Sequence, residues 1–278
     1  MRTSRKWVTT WKILLVSKTA PDGTSYDLTG PEHGPVVVLI HGLGLCRDVF
    51  SGLRNAFCGF RVLSYDLYGH GASAPPPTTA SLTVYANQLA GLMDYLGIAS
   101  GHIIGFSIGG MINRRFALDH ADKAASLIIL NSPHDRGDEA QAQVEARAAS
   151  VREQGAFSTF DAALRRWFTP KYVETGEGPA LVRAWREVVD AESYAQAAWV
   201  LANGVVELTG RHGEITKPTL VITCENDSGS TPKMSHDIGA EIAGSDVQII
   251  PDLQHLGLME DPDAFTTPIL AFLERISK

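Results

Sequence analysis

At 278 residues, 44% apolar and 20% charged, the chain can bury a sizeable core and is too apolar to remain disordered. A net charge of −7 with no long lysine or arginine run excludes an electrostatic footprint for nucleic acid. Three cysteines (Cys46, Cys58, Cys224) are an odd number without metal-ligand spacing, so neither a disulfide framework nor a metal site is indicated and a reducing cytoplasm is the expected location.

The chain opens on a basic Met1-Arg2-Thr3-Ser4-Arg5-Lys6, but the apolar run behind it, Ile13 to Val16, is too short for an export signal. No segment approaches the ~20 apolar residues that span a bilayer, so no membrane partner is expected. Segments around Lys12 to Lys18 and Ser25 to Leu28 are spaced for an antiparallel hairpin at a sheet edge. Val36 to Ile40 is a continuous β-branched run, the pattern of a strand buried on both faces. Arg61 to Tyr65 reads as the next strand and Ser81 to Leu96 as the helix after it, with Pro75-Pro76-Pro77 a stiff loop between. Gly101 to Ile104 begins another strand, Met111 to Leu118 reads as a helix, and Ser126 to Leu130 as a further strand. Near the end Thr219 to Thr223 and Val247 to Ile250 give two more, followed by helices from Pro232 and Pro262. Strands alternating with helices predict a mostly parallel sheet flanked by helices, an α/β fold.

From His134 to His212 the rhythm breaks. This stretch has no strand pattern and carries Trp167, Trp185 and Trp199 among many Ala, Glu and Arg residues. It reads as a helical lid over the carboxyl ends of the strands, where open α/β sheets bind ligands. The expected organisation is a core of residues 1–133 and 214–278 interrupted by a lid of residues 134–213.

Chemistry concentrates at Gly105-Phe106-Ser107-Ile108-Gly109-Gly110, between a strand and a helix. A serine on so sharp a turn tolerates only small neighbours, hence glycines two before and two after it. Alone the pattern is weak, because a glycine-rich turn can be only a turn. A serine hydroxyl also needs a base, and the base a group that fixes its tautomer. The loop after Thr223 reads Cys224-Glu225-Asn226-Asp227, and that after Ile250 reads Pro251-Asp252-Leu253-Gln254-His255. The order predicts Ser107 as nucleophile, His255 as base and Asp227 as orienting carboxylate, with Glu225, and less readily Asp252, as rivals to Asp227. Backbone N–H groups of Ile108 and of Leu43, in His41-Gly42-Leu43-Gly44, are the expected oxyanion donors, and His41 is expected to be structural.

Together these motifs, with Tyr65-Asp66-Leu67-Tyr68-Gly69-His70-Gly71-Ala72-Ser73 and Glu260-Asp261-Pro262, resemble those of the α/β-hydrolases over essentially the whole chain. The resemblance implies that Asp66 and His70 are structural and that no cofactor is needed. A serine at position 107 sets the chain apart from the epoxide hydrolases and haloalkane dehalogenases of that fold, which carry an aspartate there.

Arg166-Trp167-Phe168-Thr169-Pro170, Asp190 to Tyr194 and Ser107 to Ile112 are similar to the 3-oxoadipate enol-lactonases, which open a lactone in aromatic ring breakdown. Two departures stand against that subfamily: His41-Gly42 where Asn-Ser is usual, and Tyr68 where an arginine is usual. The activity implied is hydrolysis of an ester, lactone or activated amide of a small carboxylate. Alternatives are a C–C bond hydrolase, although Leu256 follows the histidine where those enzymes often carry an aromatic, and a slow-turnover sensor on the same fold. A carboxylate substrate calls for arginine, which pairs with it bidentately. Arg136, Arg165, Arg166, Arg183 and Arg186 are the lid candidates, against the alternative that most face water, and Trp167 is a candidate to line the pocket. Homo-oligomerisation is left open by the sequence.

Overall fold

Val36–Ile40 forms strand β3, whose residues from Val37 onward are fully buried. Successive side chains leave opposite faces of a strand, so Val38 and Ile40 enter one hydrophobic core while Val37 and Leu39 enter a second. Such a strand must be covered by helices on both sides.

The computed structural model describes residues 17–278. The eight strands among them are β1 (Lys18–Thr19), β2 (Ser25–Thr29), β3, β4 (Arg61–Tyr65), β5 (Gly101–Phe106), β6 (Ala124–Leu130), β7 (Thr219–Cys224) and β8 (Asp246–Ile250). They form one sheet in the order β1-β2-β4-β3-β5-β6-β7-β8, in which β1–β2 and β2–β4 pair antiparallel at one edge and the remaining pairs are parallel. The expected antiparallel edge hairpin is present, pairing Lys18 with Tyr26; most of its first segment, the Ile13–Val16 run and the basic start lie outside the described residues.

Short helix α1 (Ser51–Arg54), α10 (Gly257–Glu260) and α11 (Pro262–Ile276) supply the core around Leu39, and α2 (Leu82–Tyr95), α3 (Ile108–Asp119) and α9 (Pro232–Glu241) the core around Val38. Side-chain oxygens of Ser81, Thr231 and Asp261 cap α2, α9 and α11, and proline occupies the first turn of the latter two, where its missing N–H costs nothing. No helix among the described residues is long and apolar enough to cross a membrane.

Between β6 and β7 the chain runs through α4 (Gly137–Gln154), α5 (Phe160–Trp167), α6 (Pro170–Thr175), α7 (Gly178–Glu187) and α8 (Ala191–Asn203). Small side chains at Ala148, Ala195, Ala198 and Ala202 let α4 and α8 pack closely together with Val151 and Tyr194. The two roots of this insertion are bound to one carboxylate: His134 Nε2 lies 2.9 Å from Glu241 Oε1, and His212 Nδ1 meets Glu241 Oε2. Arg114 Nη1 donates to His212 Nε2 at 3.1 Å, so the imidazole proton sits on Nδ1 and points at Glu241. Arg114 and Asn113, polar residues of the elbow helix, are both fully buried and bond backbone carbonyls.

Candidate active site

Strand order reverses at β3, whose next strand in sequence lies to one side and β5 to the other, and the crevice above such a point is where open α/β sheets take ligands. The loop after β3 carries His41-Gly42-Leu43-Gly44, and the turn after β5 carries Ser107. Ser107 has φ 58° and ψ −118°, a conformation costly for any residue with a side chain. A β-carbon on Gly105 would fall 2.1 Å from the Gly109 carbonyl oxygen, and one on Gly109 only 2.3 Å from that of Ile40. The glycines are therefore required by contact as well as by turn geometry. Ser107 is held through its backbone: its N–H donates to Leu130 O at 2.9 Å, and its carbonyl accepts from Ser132 Oγ at 2.8 Å.

Loops after β7 and β8 bring the other two residues over Ser107. His255 Nε2 lies 3.2 Å from Ser107 Oγ, and His255 Nδ1 lies 2.6 Å from Asp227 Oδ2. Asp227 is 2% exposed; its Oδ1 accepts the N–H groups of Gly229 and Ser230, and its Oδ2 also accepts from Asn131 Nδ2 at 2.9 Å. Burial alone would raise this carboxyl, but the neighbouring imidazole and these donors hold it below the usual carboxylate range. Of the rivals, Glu225 and Asp252 are both exposed, Glu225 accepts the Asp252 N–H, and neither carboxylate bonds His255. Asp227→Asn is accordingly expected to lower kcat by roughly 10⁴-fold, and Glu225→Gln to leave it within about twofold. Steady-state kinetics of the two variants side by side would reverse the assignment if Glu225→Gln were the more damaging.

Leu43 lines the same space as Ser107 and Ile108 follows the serine directly, and among the described residues neither N–H donates to a protein acceptor. His41 accepts the Leu67 N–H on Nε2 at 2.9 Å and donates from Nδ1 to Gly42 O at 2.8 Å, clamping the loop that presents Leu43. Burial, with Arg47 nearby, pushes its pKa down to about 4, which keeps the ring neutral.

A cavity of about 140 Å³ opens above Ser107 and His255, and a smaller apolar recess of about 70 Å³, lined by Leu45, Phe106 and Leu256, adjoins it. Of the candidate arginines, Arg136, Arg166 and Arg186 line the main cavity. Arg183 does not: it is exposed, pairs with Asp161 at 3.1 Å, and lies over the Phe160 ring, because its turn of α7 faces outward. Arg165 is also exposed and outside the lining. Trp167 lines both spaces while its carbonyl accepts the Leu256 N–H, so it packs lid against core as well.

Sequence reasoning missed Arg147, which lines the cavity with Val144, Ala148 and Val151. Their spacing of three and four is one helical face and was the available signal. It also missed Asn131 and Ser132, polar residues closing an apolar strand.

The α/β hydrolase fold family model matches residues 35–262. The chain is 29% identical over 257 residues to 3-oxoadipate enol-lactonase 2 of Acinetobacter baylyi, covering 91% of this chain and 94% of that protein. It is 25% identical over 242 residues to (E)-2-((N-methylformamido)methylene)succinate hydrolase of the same organism, covering 87% and 91%. The crystal structure of the enol-lactonase from Burkholderia xenovorans superposes with a TM-score of 0.80 at 30% identity, covering 91% of this chain and 98% of that one. With the strand order, the family match and these relatives agreeing, the chain belongs to the α/β-hydrolase fold family and is a hydrolase.

Proposed function

We propose that the protein is a serine hydrolase that cleaves an ester, lactone or activated amide bond of a small carboxylate from aromatic or heteroaromatic ring breakdown. The observation that carries this reading is the unbroken line from Asp227 through His255 to Ser107, at the floor of a cavity lined by arginines. Ser107 Oγ attacks the acyl carbon as its proton passes to His255 Nε2, and Asp227 stabilises the imidazolium that results. The N–H groups of Leu43 and Ile108 receive the negative charge that develops on the acyl oxygen. His255 then protonates the leaving oxygen or nitrogen, which departs as the acyl-enzyme forms. Water, deprotonated by the same imidazole, releases the acid and restores Ser107. The names of two relatives, an enol-lactonase and a substituted succinate hydrolase, support a small acidic substrate.

The free thiols of Cys46, Cys58 and Cys224 suit a reducing compartment, and we place the protein in the cytoplasm. The test is steady-state turnover of 3-oxoadipate enol-lactone beside p-nitrophenyl acetate. A lactonase should show kcat/KM for the lactone at least about a hundredfold above the neutral ester. Equal, slow turnover of both would reject the lactone and turn the search to amides of the same acid class.

A further inference from the structure

The loop after β3 closes as a four-residue turn, the Leu45 N–H donating to Gly42 O at 3.2 Å. Gly44 takes the left-handed φ of 68° at its third position, and the Leu43 N–H at its second is left without a protein acceptor among the described residues. A glycine on each side of Leu43 leaves the turn soft, so the direction of that donor depends on what holds the turn in place. From the core side it is held by His41, through Nδ1 on Gly42 O at 2.8 Å. From the lid side it meets the guanidinium of Arg186: a β-carbon on Gly44 would fall 2.3 Å from Nε and 2.5 Å from Nη2.

Arg186 stands near the end of α7 and is only 2% exposed. Its Nη1 donates to Ala156 O at 3.0 Å and to the Tyr194 hydroxyl, which fixes the plane of the group. The rings of Phe160, Trp167 and Tyr194 lie 5.5, 5.7 and 4.4 Å from its Cζ. Tyr194 packs in turn on His70, with ring centroids 6.5 Å apart, and His70 on His41 at 5.3 Å. The two clamps on the loop are thus joined through one buried stack. Nε and Nη2, the edge that faces Gly44, have no hydrogen-bond partner among the described residues. An apolar side chain would fill the same space without leaving donors unmet. What it would lack is a rigid plane, pinned at a fixed height over the loop.

We propose that Arg186 is a positioning residue: seated by the lid, its guanidinium bears on Gly44 and holds the turn so that the Leu43 N–H stays aimed at the oxyanion. It acts through the loop and not on the substrate. The lid then does more than shape the cavity, because its packed state completes the donor pair. This rests on the reading of the protein as a serine hydrolase with Leu43 as an oxyanion donor.

The experiment compares Arg186→Met, Gly44→Ala and the double variant with the parent protein on p-nitrophenyl acetate, with inhibition by phenylboronic acid measured beside it. Methionine has much of the reach of arginine but no pinned plane, and alanine at position 44 sets a methyl where the guanidinium lies. Each single variant should lower kcat by about tenfold to a hundredfold with KM within about threefold, the loss expected of a donor moved off its line. Phenylboronic acid forms a tetrahedral adduct on a serine hydroxyl and sets an oxygen among the oxyanion donors, so its Ki should rise in step with the fall in kcat/KM. Gly44→Ala should cost less than about threefold once Arg186→Met is present, because both act through one contact. Unchanged kcat with a lowered Tm would make Arg186 a packing residue only and overturn the proposal. So would a rise in KM alone, the mark of a substrate contact, or losses that simply multiply in the double variant. Should Arg186→Met fail to fold, Gly44→Ala decides: a joint loss in kcat and boronate affinity supports the proposal, and neither changing overturns it. A parent protein that turns over no ester would sink the hydrolase reading and this one together, whereas an active parent with indifferent variants sinks this one alone.

Discussion

Ser107→Ala is expected to lower kcat by on the order of 10⁴- to 10⁶-fold on every substrate the protein turns over. Loss on this scale follows from how the three residues work as a unit. On the proposed mechanism His255 then has nothing to deprotonate, and an acyl group held by the N–H groups of Leu43 and Ile108 meets no nucleophile. The fold should not share the loss. Ser107 is anchored through its backbone, donating to Leu130 and accepting from Ser132, and these bonds survive the substitution. The check is kcat together with Tm: a collapse in rate with Tm within about 3 °C supports the assignment. A rate within tenfold of the parent would mean that another nucleophile does the chemistry.

The second large effect concerns stability in acid. Burial lowers His41 to about 4, and burial with the nearby His41 lowers His70 to about 3. An unfolded chain protonates both near 6.5. Between about pH 6.5 and pH 4 the unfolded state therefore binds protons that the folded state refuses, and stability falls as pH falls. At pH 5 the loss is about 2 kcal/mol for each ring, about 4 kcal/mol for the pair. His212, held down to about 4 by burial and by Arg114, acts in the same direction. Asp227, a lowered carboxyl, releases its contribution only below this window, and Asp66, raised by burial, opposes the trend at its acid end. Urea unfolding at pH 7.5 and pH 5.0 reads the difference directly, and a flat profile would show that these rings are not held neutral by the fold.

Much of this molecule is legible in its residues, for identifiable reasons. Parallel strands buried on both faces read as unbroken apolar runs, so Val36–Ile40 and Arg61–Tyr65 fall at the expected residues. The elbow is legible because its glycines answer to contacts of little more than 2 Å, which leave no other choice. The insertion was legible only as composition. In α4, alanines alternate with charges and no broad apolar stripe marks the inward face, so Arg147 went unnoticed. Arg183 and Arg186 sit one turn apart on α7, and the sequence does not say which meets Asp161 outside and which turns toward Gly44 within. Asn131 and Ser132 follow a strand whose neighbours become visible only once β6 is laid beside β5 and β7.

The backbone at position 107 carries one further implication, for anyone who would engineer this protein. A left-handed φ of 58° is natural for glycine and a burden of about 1–2 kcal/mol for serine. A library screened only for survival after heating would reward glycine there and discard the hydroxyl in doing so. Endurance and chemistry are in direct competition at this one residue, so any campaign to harden the enzyme must score turnover in every round or hold codon 107 fixed.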